Sequence, residues 1–324
     1  MGRHHDKRAT KVRRLDRRRQ NAQDRKQRQS EREPEVFVGV EDGAPDDQLN
    51  PQRGPDAWHT VGVVVGPTTE HIDNFCNAIK ANAGHPSFVL AKWNAGTKAH
   101  RQPRQLSFAR GFVGAMRTFP EVRTYVFAIQ AKYITTLWNR YIEGGNPEKL
   151  GQIVTRKDGK DVVRWGPMGV RLNDKPQFIE FEMDLKRAPV VFWTATALGE
   201  LYTIATDRIG HKPIWHLLCD RLPSDSSGKG LAVIVKLLSH LSKERITLHT
   251  KSSNDHRPDT DAEVLSDCVA TWAKDFLEHP DRPTSKALQA IFDDPSLTDG
   301  FNLRRKFIED PPETTTATGG SPSP

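Results

Sequence analysis

The stretch KPIWHLLCDRLP, residues 212–223, decides how the rest of the chain is read. Ile214, Trp215, Leu217, Leu218 and Cys219 form an apolar run too short for a helix, opened by Pro213 and closed by a turn at Pro223. Such a run is the mark of a strand buried on both faces of a sheet. It ends on Asp220. Open α/β sheets carry their chemistry where strands emerge at their carboxyl ends, which makes Asp220 a candidate reacting group. Asp also starts turns by bonding its own backbone, and that plainer reading stands beside the first.

Composition bounds what surrounds this strand. A chain of 324 residues has room for two average domains, or for one larger domain with insertions and tails. A hydrophobic share of 36% is below the globular norm, so part of the length is expected to lie outside any core. No apolar run approaches the roughly 18 residues of a membrane span. The charged N-terminus has no hydrophobic stretch of the secretory kind. Cys76, Cys219 and Cys268 stand far apart in apolar segments, which fits neither a disulfide framework nor a zinc pattern. Reduced core thiols in a cytoplasmic protein are the expectation.

The net charge of +7 is unevenly held. Residues 1–34 carry 13 Lys and Arg against 5 Asp and Glu, and the remainder carries 35 against 36. The arm thus owns the basic excess. With almost no large apolar side chains it cannot bury a core, and it is expected to be disordered when free. Arg13, Arg14, Arg17, Arg18 and Arg19 make it a candidate grip on a phosphate backbone, DNA or RNA. A solubilising tail is the alternative.

Working outward from residue 212, residues 35–40 (EVFVGV) and 58–65 (WHTVGVVV) read as strands, with Glu41, Asp42 and Gly43 turning after the first. Ile72, Phe75, Cys76 and Ile79 recur at helical spacing after Thr68 or Thr69, either of which can cap. Residues 87–92 (SFVLAK) and 123–129 (RTYVFAI) are further strand candidates, and residues 106–119 and 133–142 are helical. Residues 144–188 hold short β-like runs and read as an inserted hairpin or small subdomain. Helices are expected over 189–209, 231–241, 262–278 and 285–292, with a strand at 245–250. Residues 281–310 form a short helical extension, and the Thr/Ser/Pro/Gly-rich tail from residue 311 is expected to be disordered. The predicted architecture is α/β, a mixed sheet covered by helices, in one principal domain over residues 35–280.

Acidic residues fall at three points of this order: Glu41 and Asp42 after the first strand, Asp220 at the central strand, and Asp267 at the edge of the apolar face of the last long helix. Carboxylates gathered from distant segments suit Mg²⁺ or Mn²⁺, which take oxygen ligands. Two such ions can activate water for phosphodiester cleavage. Acids at segment ends are also common by chance.

The motifs VGVEDG (residues 38–43), TVGVVVG (60–66), HLLCDR (216–221) and VLSDCVATW (264–272) resemble, in this order, those of the ribonuclease-H-like family catalogued as domain of unknown function 3800. That family has an opening strand with an Asp-Glu-Ser-Gly turn, a valine-rich second strand, a central strand ending in Asp, and a late helix opening Leu-Ala-Asp. The resemblance implies a ribonuclease-H-like fold. It also implies a metal-dependent nuclease with Glu41 or Asp42, Asp220 and Asp267 as ligands and catalytic carboxylates. Here the first turn reads Glu-Asp-Gly, so the acidic order is swapped and the serine is missing. Asp46 or Asp47 in the loop that follows is an alternative ligand.

Other chemistries lack their signatures. Ser227-Gly228-Lys229-Gly230 lacks the leading glycine and the trailing hydroxyl of a phosphate loop. No Gly-x-Gly-x-x-Gly or Gly-x-Ser-x-Gly is present. Most tryptophans fall on apolar faces. Trp93, beside Lys92 and among Lys98, Arg101 and Arg104, is a candidate to stack a base, with a solvated basic loop as the plainer reading. A nuclease and a non-catalytic nucleic-acid-binding or scaffolding protein on the same fold are the two functions carried forward.

Overall fold

The computed structural model describes residues 35–42, 56–85, 87–143, 152–155, 159–172, 175–185, 188–210, 213–219, 246–250 and 260–306. The chain divides into two units, Met1–Pro34 and Glu35–Pro324, and every described residue belongs to the second. The helix expected over residues 231–241, the basic arm and the C-terminal tail lie outside the described residues.

Among the described residues, nine strands form one mixed sheet: β1 Glu35–Asp42, β2 Trp58–Gly66, β3 Arg123–Gln130, β4 Gln152–Thr155, β5 Asp161–Leu172, β6 Lys175–Asp184, β7 Ile214–Cys219, β8 Ile246–Thr250 and β9 Phe301–Lys306. The helices are α1 Thr69–Asn82, α2 Lys98–Thr118, α3 Ala131–Glu143, α4 Ala188–Ile209, α5 Asp261–Glu278 and α6 Pro283–Phe292. Across the sheet the order is β4-β5-β8-β7-β1-β2-β3-β9, with β6 also on β5. The β1-β2-β3 meander is antiparallel, whereas β1-β7, β7-β8 and β3-β9 are parallel.

Alternation along the central strands gives each face its own core. Val61, Val63, Tyr125, Phe127 and Ile129 join Trp215 and Leu217 under α3 and α4. Val64 and Val126 point the other way, into the cluster closed by α1, α2, α5 and α6. Trp215 and Leu217 are fully buried, while His216 between them is half-buried and stacks on Phe37 with ring centroids 4.5 Å apart. The run at residues 214–219 is therefore a central strand with a side chain on either face.

Two glycines set the distance between α5 and the sheet. A methyl group on Gly39 would lie 2.8 Å from Ser266 Oγ and 3.1 Å from the Ala262 carbonyl oxygen. One on Gly62 would lie 2.5 Å from the Ser266 carbonyl oxygen and 2.8 Å from Ala270 Cβ. With hydrogen there instead, the helix backbone rests on β1 and β2, and the Thr60 hydroxyl donates to the Ala270 carbonyl at 2.9 Å. The N-terminus of α5 is fixed by a capping box, Thr260 with Glu263.

Several elements depart from the sequence pattern for identifiable reasons. Glu41 and Asp42 continue β1, paired with Gly62 and Val61, where a turn is predicted. Residues 87–92 form a loop without strand pairing, because side chains satisfy their backbone groups, as described below. Helix α2 starts at Lys98 and carries Pro103 within it, eight residues ahead of the expected start. β4–β6 are continuous with the main sheet through Arg171↔Thr247 and Leu172↔Leu248, so they extend it. Phe301–Lys306, expected only as part of a helical extension, is a strand paired with β3. Its FNLRRK sequence is polar because it is the sheet's outer strand, where charge is tolerated.

Candidate functional site

The parallel pairing of β1 and β7 runs from Glu35↔Ile214 to Val40↔Cys219. The acidic pair Glu41 and Asp42 thus continues β1 at the edge where β7 also ends. Asp220 follows Cys219 in the chain and lies outside the described residues, as do Asp46, Asp47 and the side chains of Glu41 and Asp42. Arg13, Arg14, Arg17, Arg18 and Arg19 lie outside them as well.

Asp267 is described, and its carboxylate has a structural duty. Its Oδ2 accepts the Trp93 backbone amide at 2.9 Å, and Asp275 Oδ2, two turns further along α5, accepts the Trp93 indole Nε1 at 2.9 Å. From the other direction the Arg104 guanidinium of α2 donates to the carbonyls of Ala91 (2.7 Å), Lys92 (2.8 Å), Trp93 (2.6 Å) and Ala95 (3.2 Å). Gln105 adds a bond to the Trp93 carbonyl, and the Cys268 thiol reaches the Ala91 carbonyl at 3.3 Å. The loop is thereby clamped between α2 and α5 by side chains where a strand partner would otherwise serve.

Trp93 is 1% exposed. Its ring packs on Trp272 at 6.0 Å and edge-on to Phe108 at 5.7 Å. This corrects the expectation that it stacks a base: the ring face is spent in the core and its N–H on Asp275. The basic residues around it mislead because Arg104 faces backbone carbonyls. Lys92 is half-buried in the same loop.

Of the ligands implied for a divalent ion, Asp267 alone has a described side chain. Mg²⁺ requires several oxygen ligands converging on one point. Among the described residues no group of three His, Cys, Asp or Glu side chains converges in this way. Asp267, with one oxygen on the Trp93 amide and Arg104 binding the same loop, is placed as an anchor.

The two described cysteines are buried free thiols. Burial pushes both Cys76 and Cys268 above the ordinary thiol range, with the charges of Asp261 and Asp267 adding to the effect at Cys76 and Cys268 respectively. They are core groups, as the sequence suggests.

The clamp residues Arg104 and Asp275 are absent from the sequence-based site. The available signal is the spacing of Asp267 and Asp275, eight residues apart on one helix around Trp272, a pattern that suits anchoring as well as catalysis. Among the described residues, no helix is long and apolar enough to cross a membrane. No protein-family model, curated protein or solved structure matches the chain.

Proposed function

We propose that this chain is a ribonuclease-H-like protein that acts on nucleic acid as a carboxylate-dependent nuclease using Mg²⁺ or Mn²⁺. The reacting edge is the one shared by β1 and β7, with Asp220, Glu41 and Asp42 as the candidate carboxylates. One observation carries the reading: β1 and β7 are parallel neighbours in register up to Val40↔Cys219. Glu41 and Asp42 thus continue β1 beside the end of β7, the strand that Asp220 follows in the chain, which is the arrangement the resemblance implies. Helix α5, which carries the last of the resembling motifs, packs across Gly39 and Gly62 of β1 and β2. The Arg-rich arm supplies backbone attraction in this reading.

Asp267 is not assigned to the metal here. Its bond to the Trp93 amide favours a second reading, in which the protein binds nucleic acid without cutting it. Cleavage assays on single-stranded, duplex and hybrid substrates, with Mg²⁺, Mn²⁺ or EDTA, separate the two. The nuclease reading expects metal-dependent cleavage by wild type that Asp220→Asn abolishes. Equal cleavage by both proteins refutes the role of Asp220, and binding without cleavage under every condition selects the second reading.

A further inference from the structure

A cavity of about 410 Å³ opens on the outer side of the clamped loop, between residues 85–96 and the first turns of α2. That volume lies in the range of small-ligand pockets, roughly 300–1,000 Å³. Phe88, Val89, Ala91, Ala95 and Pro103 give it apolar walls. Val89 is 67% exposed, among the most exposed large apolar side chains that are described. His85, Ser87, His100, Ser107 and Arg104 add polar groups. No acidic residue is among the described residues that line it. Asp267 and Asp275 meet the loop from α5, through the amide and indole of Trp93.

Arg104 is bonded to four neutral carbonyls, and no carboxylate is among the described residues that line the cavity. The same bonds hold the wall in place before any ligand arrives, which lowers the cost of binding. Both histidines are oriented by hydroxyls: His85 Nδ1 contacts Ser87 Oγ at 2.8 Å and His100 Nδ1 contacts Thr97 Oγ1 at 2.9 Å.

We propose that this cavity binds one nucleotide unit, a planar base against Phe88, Val89 and Pro103 with its phosphate toward the Arg104 and His100 side. Apolar walls suit the faces of a base. Imidazoles and hydroxyls suit its polar edge, and a guanidinium suits the anion. The choice of a nucleotide over another aromatic anion rests on the nucleic-acid reading above. The pocket itself is distinct from the β1–β7 edge and needs no metal. The unit comes either from a free mononucleotide or from a single strand passing the loop.

The test is calorimetric titration of the full chain, in EDTA, with adenosine and uridine 5′-monophosphates, with adenosine, and with a ten-nucleotide single strand. Saturable binding is expected, with adenosine weaker than its monophosphate. Val89→Asp, an exposed position that the fold does not need, places a carboxylate at the rim and is expected to weaken binding at least about tenfold. His100→Ala is expected to weaken the monophosphates more than adenosine. Asp220→Asn is expected to bind like wild type, so failure of the nuclease reading leaves this result intact. Binding of the strand but not the monophosphates, with the same Val89 dependence, supports the proposal with the strand as source. No binding by any probe, or binding that Val89→Asp leaves unchanged, overturns it, and equal affinity for adenosine and its monophosphate overturns the assignment of the anion.

Discussion

Gly62→Ala tests whether the close seat of α5 on the sheet is built into the chain. The added methyl would lie 2.5 Å from the Ser266 carbonyl oxygen and 2.8 Å from both the nitrogen and the Cβ of Ala270. Two of these three atoms are backbone, so no rotamer change relieves the clash and the helix must lift. Lifting breaks the 2.9 Å bond from the Thr60 hydroxyl to the Ala270 carbonyl and loosens the buried row Ala262, Ser266 and Ala270. Overpacking of this kind costs about 1–3 kcal/mol, and the lost hydrogen bond about 1 kcal/mol more. The lower backbone entropy of alanine in the unfolded chain returns about 0.4–1 kcal/mol. The net expectation is a loss of about 1–3.6 kcal/mol, or roughly 2–14 °C in Tm. Urea and thermal unfolding followed by tryptophan fluorescence measure it. Gly96→Ala is the comparison: its φ is +85° but a methyl there meets nothing within 4 Å, so it reports backbone strain without a clash. A Gly62→Ala protein within about 0.5 kcal/mol of wild type would refute the argument, since a surface change alone is of that size.

Two further predictions concern the loop and the thiols. Asp267→Asn keeps an oxygen to accept the Trp93 amide and is expected to cost less than about 1 kcal/mol, whereas Asp267→Ala leaves that amide unpaired at about 1–3 kcal/mol. Equal stability of the two variants in urea refutes the anchor role. Cys76 and Cys268 are expected to react with a thiol reagent only as the protein unfolds. Burial raises their native pKa above the unfolded value, so the unfolded chain loses its protons first. Their contribution is complete below the unfolded thiol pKa of about 8.5 and declines as pH rises above it, by up to about 2 kcal/mol per thiol at pH 10. A Cys76→Ala/Cys268→Ala double variant whose stability falls equally steeply over that interval would refute this.

The sequence pattern was most legible where periodicity is strong. Residues 214–219, with apolar residues on both faces, read correctly as a central strand, and so did the α5 stripe of Leu265, Cys268, Val269 and Trp272. It failed where the backbone is satisfied by distant side chains. Nothing local in SFVLAK says that Arg104 and Cys268 will take its carbonyls, so a short apolar run there looks like a strand. Trp93 misled for the same reason, since cations near in sequence were read as a surface while the ring lies under them in the core. The charged β9 shows the converse, because an outer strand needs few apolar residues and leaves little periodic trace. For the site, the register of β1 on β7 sets Glu41 and Asp42 beside the end of β7, which a linear pattern can suggest only through resemblance.

That register also has a consequence for how the protein is made. The strand β1 is among the first parts of this unit to leave the ribosome, yet one of its two partners, β7, comes far later in the chain. The anchors from α5 are as remote: Glu278 receives the Trp58 amide across 220 residues and Ala270 the Thr60 hydroxyl across 210. Contacts of such separation close slowly, because the intervening loop must first lose its freedom. During synthesis the β1-β2-β3 meander therefore waits with one edge of β1 open and Gly39 and Gly62 uncovered. An open edge of valine-rich strand is a template for pairing with another chain. A chain truncated before β7 should therefore be recovered as aggregate.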